Sequence, residues 1–389
     1  MRSCTSSRER LEWLGSRLSP QALKAILSSN SDTLMTQVDA LSENVIGLCV
    51  LPLSVVPDVL VDGEHICIPM STEEPSVVAA CAHAAKIYGL GNGITTKAPP
   101  ISYMVGQLIF HKPQDLLLKP LDLETLRLTI LKVASTSIPS MLTRGNGLVF
   151  VRMNTHDTCY IIEIGLDCVD AMGANVMNTL LEAIKPFILE LVDNRLEFLA
   201  AIVSNTGEGR VYQAIGVLTA DEYSKVKNVS IDQARNTLRR IALLSLVATV
   251  DVNRRITHNK GILNGLDAVA RACGQDTRAI AVANCNDVPL VQHTFDEDTF
   301  TLHSVATIAT PVGTVGGSCI YAPGLLILER SGSISANKFS RVLAAVALLQ
   351  NFAALRALVS EGIQRGHMAL HRRKNIATSS GFTDAVLDD

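Results

Sequence analysis

Between Glu43 and Met70 the chain alternates short apolar runs with breaks at Pro52, Pro57 and Asp62-Gly63, and the last pair favours a hairpin. Upstream, Leu11, Leu14, Leu18 and Leu23 recur at helical spacing within 8–29, with Pro20 opening a second helix, which predicts a helical N-terminal cap. Downstream, Pro75 and the alanine-rich stretch after it predict a helix starting close to Glu73 and Glu74. β-favouring runs at 101–112 and 148–168 flank a helical stretch at 121–133. A helix over about 172–193, the apolar run 198–204, the turn NTGEGR and the strand-like VYQAIGVL follow. Residues 231–250, 261–273 and 337–360 predict further helices. The pattern describes an α+β protein in which a mostly helical large domain (1–106 and 219–360) is interrupted by a small antiparallel α+β domain (107–218). A C-terminal segment, 361–389, follows.

Composition narrows the class. Over 389 residues, 48% hydrophobic and 18% charged content excludes global disorder. The 34 basic and 37 acidic residues leave a net charge of −3, which gives no chain-wide reason to bind nucleic acid or an anionic membrane. The uncharged run 306–328 is interrupted by Pro311, Pro323 and glycines, so no membrane span is expected, and the N-terminus lacks the apolar core of a secretory signal. Nine cysteines without a CxxC pair fit reduced thiols, and the expected setting is the cytoplasm.

Several segments can carry chemistry. Glu73 and Glu74 lie at a helix mouth, where a carboxylate can simply complement the helix dipole. HNKG (258–261) puts Lys260 just ahead of the expected helix. Arg254, Arg255, His258, Asn259 and Asn264 crowd around it, with Asp276 beyond Gly274, a set suited to a carboxylate or phosphate ligand. DCVDAMGAN joins a strand to a helix as a pyrophosphate-binding turn can, yet neither GxGxxG nor GxxxxGK[ST] occurs. PVGTVGG (311–317) is glycine-rich, for which turn geometry is the bland reading. His367 and His371 stand at i, i+4 without a third ligand, so no metal is expected, and glycines on either side suit a mobile segment carrying one acid–base histidine.

ENVIG (43–47), PMSTEEPSVVAA (69–80), DAMGAN (170–175), HNKGILNGLDAV (258–269) with Asp276, PVGTVGG and GIQRGHMALH (362–371) together resemble the 3-hydroxy-3-methylglutaryl-CoA (HMG-CoA) reductase family. The spelling is similar to its soluble class II form. The resemblance implies a four-electron reduction of HMG-CoA to mevalonate and CoA by two NAD(P)H, in isoprenoid biosynthesis. It also implies a ferredoxin-like, non-Rossmann cofactor domain and a C-terminal flap. Glu74, Lys260, Asp276 and His367 match the catalytic positions: proton source, oxyanion-stabilising ammonium, network carboxylate and protonator of the CoA thiolate. Arg254, Ser76, Asn264 and Arg10 match substrate and CoA contacts. Asp170, Met172, Gly173, Ala174, Asn175, Gly313 and Gly316 match the cofactor site, the two last glycines as close backbone approaches. A homodimer or a homohexamer built from dimers is implied. Some class II members carry GGGCRD where this chain reads RGNGLVFVR. Val149 and Phe150 replace the acid that clamps an unphosphorylated ribose, and Arg144 and Arg152 lie within reach of a 2′-phosphate, which favours NADPH over NADH. The 18 residues after His371 imply an abbreviated flap. A reductase of another carboxylate-bearing acyl-CoA and a non-catalytic CoA-binding paralogue are the alternatives.

Overall fold

The structure, a computed structural model, describes residues 42–360 except 75, 119, 318, 320, 321 and 329–333, together with residues 9, 35, 38, 39 and 362. The chain divides into a smaller unit, Met1–Pro52 with Gln364–Asp389, and a larger one, Leu53–Ile363. In the smaller unit Glu9, Met35 and Val38 are helical and Asp39 lies in a turn, and a turn at 42–44, with Asn44 at φ 57°, leads into a stretch without regular structure through 52. Apart from Glu9, the helix expected over 8–29 lies outside the described residues. So do Arg10 and His367.

The larger unit opens with the expected hairpin, β1 (Leu53–Val61) and β2 (Glu64–Ser71). Asp62 and Gly63 between them both take positive φ, 51° and 80°, the twist that a two-residue hairpin needs. Next come α1 (Val77–Tyr88), β3 (Ile94–Lys97), β4 (Met104–His111), α2 (Leu123–Ser137), α3 (Pro139–Arg144), β5 (Leu148–Thr155) and β6 (Cys159–Leu166). α4 (Ala174–Leu191), β7 (Glu197–Ser204), a 3-10 turn (Glu208–Arg210), β8 (Val211–Thr219), α5 (Ala220–Lys227), α6 (Ile231–Val250) and α7 (Val252–Ala272) follow. α8 (Thr277–Ala283), β9 (Val291–Asp296), β10 (Thr301–Ala309), α9 (Pro323–Leu328) and α10 (Ala336–Val359) complete it.

Two sheets organise these elements. Strands β5-β6-β4-β7 form an antiparallel sheet, the ferredoxin-like order for a β-α-β-β-α-β path. Helix α4 buries Met177, Leu180, Leu181, Ile184 and Ile188 at helical spacing, and it lies so close to β4 that a Cβ at Gly106 would stand 2.3 Å from the Met177 sulfur. The second sheet runs β2-β1-β3-β8-β10-β9 and packs against α1, α7 and α10 around a separate core. Helix α10 is largely apolar, and its middle, residues 342–353, is buried. It is the helix among the described residues long and apolar enough to cross a bilayer, and it serves as a core helix.

Three sequence expectations change. VYQAIGVL pairs with β3 and β10 rather than with the four-stranded sheet. Residues 291–309, read without strands, form the β9–β10 hairpin. The helix expected from 261 begins at Val252, because the Asp251 carboxylate accepts the Arg254 N–H at 2.6 Å and caps it there. Lys260 consequently lies inside a helix and not ahead of one.

Candidate active site

The strand-to-helix turn at 167–173 is built for close packing. Gly173 takes φ 99°, and a Cβ there would stand 2.3 Å from the Cys168 sulfur, so both conformation and space demand glycine. The leading amides of α4, including those of Ala174 and Asn175, have no acceptor within the helix and form the positive end of its dipole. Asp170 faces the scaffold. Its carbonyl accepts the Thr314 N–H at 2.7 Å and its Oδ1 accepts the Ala336 N–H at 2.8 Å. A parallel bridge pairs Ala171 with Val315, and a Cβ on Gly313 would lie 2.3 Å from the Met172 nitrogen. The Gly313 backbone thus packs directly on that of Met172. Around Gly316 the space is open, and its φ of 76° is what calls for glycine.

A residue the sequence reading passed over joins this turn to the acids. The Gln275 Oε1 accepts the Gly313 N–H at 2.9 Å while its Nε2 donates to the Cys273 carbonyl at 2.8 Å. Its neighbour Asp276 caps α8, accepting the N–H groups of Arg278 (3.0 Å) and Ala279 (3.1 Å). On the last turn of α7, Arg271 pairs with Asp267 at 2.8 Å and reaches Glu73 at 3.8 Å. The Glu73–Glu74 bend, Asp276 and, through the Gly313 loop, the 167–173 turn therefore meet around the C-terminal end of α7. Beyond the bend Ser76 takes φ 90° and makes no capping hydrogen bond with its side chain.

Lys260 is elsewhere on the same helix. It is exposed, makes no hydrogen bond or ion pair among the described residues, and precedes Arg271 by eleven positions, about 16 Å of helix axis. Asn264 lies one turn further along its stripe. Arg254 keeps a buried Nε with no hydrogen-bond partner among the described residues. The helix itself is firmly held. The His258 Nε2–H donates to the Val291 carbonyl at 2.9 Å, and the Asn259 amide donates to the Val288 carbonyl (3.0 Å) and accepts the Leu290 N–H (3.0 Å). Asn351 lies 3.2 Å from the His258 nitrogen and 3.0 Å from that of His293, whose other nitrogen meets Ser304 at 2.7 Å, with Tyr88 a further 2.8 Å on. Burial pushes both imidazoles down to about 4, so the whole chain of groups is neutral near pH 7.

Arg152 is not the open cation that its position in the sequence suggested. It binds Glu163 and, at 3.0 Å, Glu208, and its guanidinium lies 4.8 Å from the centre of the Phe150 ring. Arg144 is exposed, with its Nε donating to the Ser140 carbonyl at 3.1 Å.

A family model described as hydroxymethylglutaryl-coenzyme A reductase matches residues 6–372. The chain belongs to this family. Among curated HMG-CoA reductases it is 36% identical to that of Archaeoglobus fulgidus over 388 residues, covering 95% of this chain and 84% of the relative. It is 31% identical to the probable enzyme of Borreliella burgdorferi over 367 residues, covering 89% and 79%. A solved class II HMG-CoA reductase from Streptococcus pneumoniae, bound to NADPH in open conformations, superposes with a TM-score of 0.74 at 34% identity. That match covers 92% of this chain and 98% of the other.

Proposed function

We propose that this chain reduces HMG-CoA to mevalonate: HMG-CoA, two NADPH and two protons yield mevalonate, CoA and two NADP+. The first hydride adds to the thioester carbonyl, and the resulting hemithioacetal expels CoA as a thiolate that takes up a proton. The second hydride reduces the aldehyde. Lys260 neutralises the developing oxyanion, Glu74 supplies protons to oxygen, Asp276 holds the two in register, and His367, outside the described residues, protonates the thiolate. Arg254 binds the free carboxylate with Ser76 and Asn264 beside it, and Arg10 contacts CoA. Residues 170–175 hold the dinucleotide against the amides of α4, with Gly313 giving close access. The NADPH bound by the pneumococcal relative supports that cofactor, and Arg144 is the cation for its 2′-phosphate.

One observation carries this reading: the Gly313–Gln275 hydrogen bond ties the glycine-rich loop that packs on the 170–175 turn to the acidic turn at Asp276. Because Lys260 lies apart from both, a second copy of the chain completes the site. Its docking surface is the exposed apolar stripe of Leu243, Leu246, Val247 and Val250 on α6 with Val252 and Ile256 on α7, which runs up to Lys260. The assembly is cytoplasmic. The deciding assay mixes purified protein with HMG-CoA and NADPH; two NADPH oxidised per CoA thiol released is expected, and no oxidation with either nicotinamide nucleotide rejects the activity.

A further inference from the structure

We infer that Arg210 is a positioning residue for the cofactor, fixing the two loops that hold the dinucleotide and setting the affinity for NADPH independently of the acyl-CoA. This rests on the cofactor placement proposed above.

Arg210 closes the 3-10 turn that leads into β8 and is 3% exposed. No carboxylate lies within ion-pair distance of it among the described residues, so its buried charge is held chiefly by two carbonyl dipoles, with the Asp167 carboxylate acting from further off. A leucine there would spare that desolvation, and the geometry explains what the cation does instead. One terminal nitrogen donates to the Val312 carbonyl at 3.0 Å and the other to the Ala171 carbonyl at 3.2 Å. Val312 precedes Gly313, and Ala171 precedes Met172, so the fork spans the pair of loops whose backbones touch at Gly313 and Met172. The Arg210 carbonyl accepts the Thr310 N–H at 2.9 Å, anchoring the residue to the same loop from its other side. Its own backbone is fixed as well, because a Cβ on Gly209 would stand 2.4 Å from the Tyr103 ring.

The consequence is selective. Arg210 pulls the Ala171 carbonyl inward, which orients the peptide units leading to the amides of α4, while Asp276 is held by the amides of α8, and Arg254 and Lys260 stand on α7, which His258 and Asn259 hold in place. A planar fork can serve two carbonyls at once, whereas a lysine ammonium on a flexible stem serves them poorly. A cavity of about 180 Å³ lined by Arg210, Asp170, Tyr212, Thr310 and Asn337 adjoins the side chain, with room for a free guanidinium ion.

The test compares wild type with Arg210→Met and Arg210→Lys, measuring NADPH binding directly by nucleotide fluorescence and both Michaelis constants by turnover. Loss of a charged hydrogen bond predicts NADPH Kd and KM raised about tenfold in Arg210→Met and severalfold in Arg210→Lys, with the HMG-CoA KM within about twofold of wild type. In Arg210→Ala, guanidinium at a non-denaturing concentration is expected to restore NADPH binding. Equal rises in both Michaelis constants, or unchanged NADPH binding, overturn the role. Should Arg210→Met not fold, Arg210→Lys decides alone, and normal NADPH binding there rejects the proposal. Failure of wild type to turn over HMG-CoA while it still binds NADPH counts against the activity and leaves the Kd comparison intact as the test of Arg210.

Discussion

Ser76 holds φ 90° and ψ −28°, a region that costs a non-glycine residue on the order of 1–3 kcal/mol, and it does so beside the Glu73–Glu74 bend. Glycine occupies that conformation without strain. Ser76→Gly is expected to stabilise the fold by about 1 kcal/mol while raising the KM for HMG-CoA, read from urea unfolding beside steady-state kinetics. A destabilised variant with unchanged KM removes the link between strain and binding. Lys260 presents the opposite case, since an exposed side chain without partners among the described residues contributes little to stability. Lys260→Ala is expected to lose at least 10²–10³-fold in kcat with its melting temperature nearly unchanged. Retained turnover would falsify the oxyanion assignment. The residues legible from sequence were those with distinctive neighbours, such as Lys260 within HNKG. Gln275 and Arg210 were not, because a glutamine beside a conspicuous aspartate and an arginine opening an apolar strand reveal their partners only after distant loops have met.

Among the elements, long periodic segments were read closely: α6 spans the expected residues and α10 differs by one residue at each end. The failures share a physical cause. The start of α7 was set by the Asp251 cap rather than by apolar spacing, and β8, read with the small domain, pairs in the other sheet because pairing is a long-range choice that local pattern does not encode. Inside these elements the row Tyr88, Ser304, His293, Asn351 and His258 couples α1, β10, β9, α10 and α7. Both histidines titrate near 4 when folded and near 6.5 when unfolded, so between those values the unfolded chain takes up protons that the native state refuses. Stability from this source is complete near pH 7 and is lost as pH falls through 6.5 towards 4, by up to about 3 kcal/mol for each histidine. Urea midpoints at pH 7 and 5 are expected to show a steep fall, made shallower by about one proton in His293→Gln. An unchanged slope in that variant excludes His293 as a contributor.

For the whole molecule the open question is how Lys260 meets the acids, and subunit mixing answers it. If the lysine of one chain serves the Glu74 of another, Lys260→Ala and Glu74→Gln proteins, each inactive, are expected to regain about one quarter of wild-type turnover when unfolded and refolded together in equal amounts. Half the dimers formed are then mixed, and one of their two sites is intact. No recovery places both groups in one chain and returns the apolar stripe on α6 and α7 to an unassigned surface. The Asp170 carboxylate, meanwhile, receives the first amide of α10, so the long core helix begins at the turn proposed to hold the dinucleotide. If 170–175 hold the dinucleotide as proposed, the exchange of that single Ala336 proton with deuterated solvent is expected to slow as the nucleotide binds, an internal gauge of cofactor loading.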